Sequence, residues 1–415
     1  MVWTIPNPYI CAIILAMGAI NVGFGMVYPS FTTQEVVEEF NLNETEKLFF
    51  NIGGLLCASF CSMFINPFVV AYGKRKAGFA AALYASCTWI ILGLTEKKWM
   101  LFTFRCMSCS SIGLYTTFVS PFLAEIAPDN KKYFFGFINQ IANAIGFLTV
   151  TIIGAWLNNF RKVAFICSVP NIVLCIGILF IPEKPQTTQR ATVCATCKYH
   201  KELFIAFMFM FFLQFSGIQP VMSNLGEILS KANLGDKGHK MGIYATATQL
   251  VTTVIFAFIV DKVGNFIMWE ISAAGEMIAF ILMCVHQKKE LPTWVFLLGL
   301  FLEMLSYGMG NGPIPFARAT VLLEPQFRST AMAIIVAINW ALTAGINAIW
   351  PTLQEKMSLG YAFLFFACMM VLSLIFGYVV VRKLDLRDKA SLDNSSQEEE
   401  KKDGKVDEIS AEESL

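Results

Sequence analysis

Polar groups lying inside long apolar stretches are where this chain can do chemistry. The amides among them include Gln140, Gln214, Gln219, Gln249 and Asn339, the last followed by Trp340. A carboxamide supplies a hydrogen-bond donor and an acceptor without the desolvation cost of a charge. Such groups suit a neutral, hydroxyl-bearing solute, with an indole for its apolar C–H face; they serve equally to bridge helices. Two carboxyl groups, Glu276 and Glu303, fall near the middle of apolar runs with no base beside them in sequence. At that depth a carboxyl is protonated, paired or wet, which makes both candidates for proton coupling. Other chemistry finds no support. There is no Gly-Lys nucleotide loop and no nucleophile triad, so neither enzymatic turnover nor a cofactor is expected. Three scattered histidines (His200, His239, His286) suggest no metal centre, and Cys194 and Cys197 form one C-x-x-C without the second pair that zinc spacing needs.

Composition dictates the elements that must hold these residues. Of 415 residues, 56% are hydrophobic and 15% charged, against the roughly 25% charged usual in soluble chains. Mean hydropathy is +0.59. A net charge of +1 offers nucleic acid no clustered basic surface. Apolar runs of helical length fall near 8–30, 47–71, 77–96, 99–124, 133–157, 162–181, 203–230, 240–261, 265–286, 291–317, 329–350 and 358–381. They lack the alternation of barrel strands, so an all-α membrane protein of twelve transmembrane helices is expected.

The longest break, 182–202, separates halves of nearly equal length, 8–181 and 203–381. Basic loops recur after the second and eighth runs, Ala71-Tyr-Gly-Lys-Arg-Lys76 and Asp261-Lys-Val-Gly-Asn265. Acidic, proline-bearing turns recur after the fourth and tenth, Glu125-Ile-Ala-Pro-Asp-Asn-Lys-Lys132 and Glu324-Pro-Gln-Phe-Arg328. The organisation expected is an N-terminal six-helix bundle (1–181), a cytoplasmic linker (182–202), a C-terminal six-helix bundle (203–381) and a disordered charged tail (382–415). A solute path would lie between the bundles. From Asp385 onward there are 11 acids and 5 bases, a composition that stays solvated. With both termini inside, Lys and Arg outside the tail divide 12 to 11, which barely decides orientation. Asn43-Glu44-Thr45, a glycosylation acceptor after the first span, places that loop outside, both termini in the cytoplasm and the chain in the plasma membrane.

Arg105, Glu125-Ile-Ala-Pro128, Gln214-Phe-Ser-Gly-Ile-Gln219, Gly312-Pro-Ile-Pro315, Arg328-Ser-Thr-Ala-Met-Ala333 and Asn339-Trp340 follow one another along the chain, on or beside the fourth, seventh, tenth and eleventh spans. In that order they resemble the sugar porter family of the major facilitator superfamily, over essentially the whole membrane part. The resemblance implies two pseudo-symmetric six-helix bundles that carry a sugar, a hexose by preference, through the bilayer by alternating access. It implies substrate contacts from Gln140, Gln214, Gln219, Asn339 and Trp340, and from Gln249 by counting back from Asp261. It also implies inner-face ion pairs among Arg105, Glu125, Glu324 and Arg328. The prolines at Gly312-Pro313-Ile314-Pro315 break the tenth span and make a gating hinge there. Arg105 lies a whole span before Glu125, so those two cannot touch.

Three positions depart from the family: Val321 and Gly308 replace glutamates, and Phe316 replaces a tryptophan. The first-span aspartate of proton-coupled members has no counterpart in Val22-Gly-Phe-Gly-Met26, so downhill uniport is expected. The alternatives are proton coupling through Glu276 or Glu303, a different neutral solute, or a non-transporting sensor.

Overall fold

The computed structural model describes residues 7–128, 131–157, 159–181, 197–231, 237–289, 291–322 and 325–387. Among the described residues there is no strand; helices joined by short turns make up the chain. The first half contains α1 (Pro8–Phe40), α2 (Glu44–Ser62), α3 (Ile65–Tyr72), α4 (Lys74–Gly93), α5 (Lys98–Ile126), α6 (Lys132–Leu157) and α7 (Phe160–Gly177). The second begins with α8 (His200–Phe215), α9 (Ile218–Ser223), α10 (Leu225–Lys231) and α11 (Lys237–Ala257). It continues with α12 (Val260–Val263), α13 (Asn265–Lys289), α14 (Thr293–Met309) and α15 (Ile314–Val321). Last comes α16 (Pro325–Phe376), kinked at Ser358, where φ is 62°.

All twelve expected runs are helical. Among the described residues, nine helical segments are long and apolar enough to cross a membrane. The other three are the broken pair α2–α3 and the helices α5 and α11, which are diluted by serine, threonine and charge. Their polar side chains turn inward: Ser108, Ser111, Thr116 and Thr117 are buried and bond back to carbonyls one turn earlier on α5. Large apolar side chains instead face out, among them Phe60, Trp156, Phe180 and Phe258, as a lipid-facing surface requires.

Packing divides along the sequence halves. α1 packs on α5, α6 and α7, and α4 on α5 and α7; α13 packs on α14 and α16, and α8 on α16. The halves meet where α6 crosses α11, α2 crosses α16 and α1 touches α9. Small residues bring the backbones together. A Cβ on Gly23 would lie 2.3 Å from the Asn143 carbonyl oxygen and 2.9 Å from Gly146 Cα, which sets the α1–α6 crossing. Gly73 and Gly264 share one conformation, φ 85° with ψ 162° and φ 92° with ψ 156°, which glycine alone adopts freely. The two basic loops therefore repeat in backbone geometry as well as in sequence.

Several boundaries differ from expectation. α1 runs past 30 to Phe40 because Thr32, Val36 and Phe40 remain buried, Phe40 against the Phe160 ring. The seventh span is three helices, broken at Gly217 (φ 83°) and at Asn224. The last span passes through a π-helical turn, Gly377–Val381, and stays helical to Arg387, so the tail expected from 382 begins inside a helix.

Candidate functional site

A cavity enclosing about 420 Å³, including its mouth, lies where the halves meet. From the first half, α1 contributes Val22 and Met26, α5 Thr116, and α6 Asn139, Gln140 and Asn143. From the second, Gln214 stands at the end of α8 and Gln219 just beyond the Gly217 break; Tyr307, Phe316, Asn339 and Trp340 complete the wall. Gln214 Nε2 donates to Asn339 Oδ1 at 2.8 Å, joining the seventh and eleventh spans. Tyr307 and Gln140 face the same hollow from opposite halves. Four buried polar atoms on this wall have no partner in the protein: Gln140 Nε2, Asn143 Oδ1, Gln214 Oε1 and Trp340 Nε1. Donors and acceptors left over in one apolar-walled hollow are what an uncharged polar ligand needs. Among the described residues, no carboxylate, lysine or arginine lines the cavity.

Five of the six expected binding residues meet here: Gln140, Gln214, Gln219, Asn339 and Trp340. Gln249 does not. It is fully buried on α11 with neither amide atom partnered, its backbone packs against Gly308 of α14, and it is not among the residues that line the cavity. Asn139, Asn143 and Tyr307 were not foreseen. Asn139 and Asn143 stand one turn apart on one face of α6, the i, i+4 spacing that could have revealed them. A second hollow of about 250 Å³ shares Asn139 and Phe316 with the first and continues past Ser120, Ala124 and Lys132 toward the end that carries Glu125.

The expected ion pairs resolve differently. Glu125 pairs with Lys74, the first residue of α4, and lies close enough to Arg328 of the other half for a Coulombic interaction. Glu324 lies outside the described residues. Arg105 is not in an inner lock. It is buried toward the Asn43 end, donates to the Gly25 carbonyl at 2.9 Å, and sits 5.2 and 5.6 Å from the Tyr28 and Phe50 ring centres. Those rings and the carbonyl take the place of an acid. An unforeseen pair joins Arg318 of α15 to Asp385, whose other oxygen accepts the Phe266 N–H at 2.8 Å at the start of α13. Arg318 also faces the Tyr133 ring of the first half at 5.0 Å. The tenth span breaks between Met309 and Ile314 as its glycine and prolines require: Gly312, Pro313 and Pro315 bracket the restart.

Behind the cavity the two halves are built differently. In the first, Asn21 donates to Ser111 Oγ at 2.9 Å and accepts from Trp89 Nε1 at 2.7 Å and Asn171 Nδ2 at 2.8 Å, while Tyr115 donates to Asn171 at 2.8 Å. In the second, Glu276 Oε2 accepts from Asn311 at 3.0 Å and its Oε1 lies 3.3 Å from Ser272 Oγ, and Glu303 has no partner at either oxygen.

Helices that cross a bilayer around a polar hollow at the junction of two half-molecules define a multi-pass integral membrane transporter. The chain belongs to the family described as "Sugar (and other) transporter", whose profile matches residues 46–190 and 184–393. Sugar transporter ERD6-like 6 of Arabidopsis thaliana is 22% identical over 406 residues, 82% of this chain and 82% of that protein. The glucose transporter GlcP of Staphylococcus epidermidis is 22% identical over 414 residues, 89% and 93% of the two chains. Among solved structures, the proton:xylose symporter XylE bound to 6-bromo-6-deoxy-D-glucose superposes with a TM-score of 0.79 at 20% identity, covering 90% of this chain and 96% of that one. The chain adopts the major facilitator fold and belongs to a family of transporters, not of enzymes.

Proposed function

We propose that this protein carries a neutral sugar of about hexose size through the membrane by alternating access. The observation that carries the reading is the uncharged cavity at the junction, where amides from both halves and the Trp340 indole leave unpartnered hydrogen-bonding atoms. Hydroxyls both donate and accept, so one sugar would engage the two halves together and favour the closed arrangement. Relatives named for glucose and xylose support the substrate class. Movement of the halves would break the Glu125–Arg328 approach and the Arg318–Tyr133 contact at one end, while Glu125–Lys74 stays within the first half, with the break at Gly312 and Pro313 as hinge. The exposed Asn43 supports the reading of an acceptor on the outer face, in which the Glu125 end and both termini would lie in the cytoplasm and the membrane would be the plasma membrane.

Counterflow of radiolabelled mono- and disaccharides, polyols and nucleosides in proteoliposomes tests the reading. Exchange of a hexose is expected, and Gln214→Ala is expected to lower kcat/KM about tenfold, the scale of one lost hydrogen bond plus the exposed Asn339 carbonyl. Exchange of none of these solutes would overturn it.

A further inference from the structure

The sugar cavity leaves one polar cluster of the second half unused, at the tenth-span break. Its centre is Ser272 of α13. Ser272 Oγ donates its one proton to the Ser306 carbonyl at 2.7 Å and accepts the Asn311 N–H at 2.9 Å. Its remaining lone pair faces Glu276 Oε1 at 3.3 Å. Two acceptor atoms thus look at each other with no hydrogen to share. Glu276 Oε2 accepts from Asn311 Nδ2 at 3.0 Å, and Asn311 Oδ1 has no partner. Ser272, Glu276 and Asn311 are all fully buried. Among the described residues, no ion pair includes Glu276. Oxygens turned toward one another in such surroundings repel unless a positive charge lies between them.

The backbone favours the same charge. α14 ends at Met309, three residues after Ser306, and a helix C-terminus attracts a cation. Broken transmembrane helices hold ions in this way, with carbonyls at the ends of half-helices. Close approaches press α13 against the break: a Cβ on Gly275 would lie 2.1 Å from Ser306 Oγ, and one on Gly310 2.6 Å from the Met268 carbonyl oxygen. Carboxylate, hydroxyl, amide and carbonyl oxygens suit a hard cation, and a single carboxylate balances a single charge. Oxygens 3.3 Å apart on one edge of an octahedron stand about 2.3 Å from its centre, the reach of a small ion. A half-turn of the Asn311 carboxamide brings its oxygen to the place of its nitrogen, beside Glu276 Oε2.

We propose that Glu276, Ser272, Asn311 and the Ser306 carbonyl form a sodium site at the tenth-span break. The site is tied to the sugar cavity. Ser306 precedes Tyr307 of the cavity wall, and a Cβ on Gly312, next to Asn311, would lie 2.8 Å from the Tyr307 ring. An ion that fixes the break also fixes Tyr307, so sodium and sugar each strengthen the binding of the other. That coupling rests on the sugar-carrier reading; the site itself does not.

Binding of radiolabelled sodium to the purified protein in detergent tests the site. One saturable sodium per chain is expected, displaced by unlabelled sodium but not by the same concentration of potassium, and lost in Glu276→Gln; Ser272→Ala serves should that variant not fold. Wild type without saturable binding, or binding that survives in the variant, overturns the site whether or not sugar is carried. The coupling is read from counterflow with sodium chloride or choline chloride at equal concentration on both sides. Sodium is expected to lower the KM of the sugar about tenfold in wild type and to leave Glu276→Gln at its choline value. One KM in both salts overturns the coupling and leaves the sugar reading standing. Exchange of no sugar in either salt overturns the sugar reading, and the sodium site then stands or falls by the binding measurement.

Discussion

Single side chains explain both what could be read early and what could not. Gln140, Gln214, Gln219, Asn339 and Trp340 were legible because an amide or indole inside an apolar run has few bland explanations, and their order along the chain matched a family. Tyr307 was not legible, since a tyrosine in such a run reads as packing until its side chain is seen to line the same hollow as Gln140. Arg318 and Asp385 lie 67 residues apart, and nothing local announces their pairing. Gln249 is not on the cavity lining, because counting from Asp261 fixes a position along a helix but not the face that meets the cavity. Polar satisfaction at this scale is testable. Asn21→Leu strands the Trp89 N–H and the Asn171 amide, and is expected to destabilise the protein by about 1–3 kcal/mol, read as a lower Tm in detergent. Outside the membrane, the Asn43 N–H and then the Lys98 ammonium hold the Glu46 carboxyl below the ordinary carboxylate range. The fold therefore favours its charged form, and that stability is lost as pH falls through the lowered value. Glu46→Gln is expected to flatten the acid limb of the Tm profile below about pH 5.

Elements were more legible in number than in extent. Hydropathy finds twelve runs because each must match the bilayer, but it does not see where a helix end stays buried by its neighbours, as at Thr32, Val36 and Phe40. Breaks inside spans follow from glycine and proline: the tenth was expected from Gly312-Pro313-Ile314-Pro315, whereas Gly217 with Pro220 breaks the seventh by the same chemistry and was passed over. Helix crossings depend on glycines that composition alone does not distinguish. Gly146→Val would place side-chain atoms where the Ile20 carbonyl oxygen lies 2.4 Å from a Cβ, forcing α1 from α6. The expected outcome is poor yield of monodisperse protein on size-exclusion chromatography and loss of counterflow, because the Val22 and Met26 wall of the cavity moves with α1.

At the scale of the molecule, duplication was visible in paired loops and is repeated in the backbone of Gly73 and Gly264. What the paired loops did not disclose is that the halves differ inside. Asn21 ties α1, α4, α5 and α7 into one hydrogen-bonded frame, whereas α13 and α14 enclose acids with unmet oxygens. Frames of satisfied hydrogen bonds open rarely, and partly satisfied ones open more often. Deuterium is accordingly expected to enter the amides of Asn265–Lys289 and Thr293–Met309 sooner than those of Lys74–Gly93 and Lys98–Ile126. Mass spectrometry of peptic fragments would show it. A carrier so built would work less like two equal rockers than like a stationary wall with a hinged partner, and ligands that slow its turnover would be sought on the yielding side.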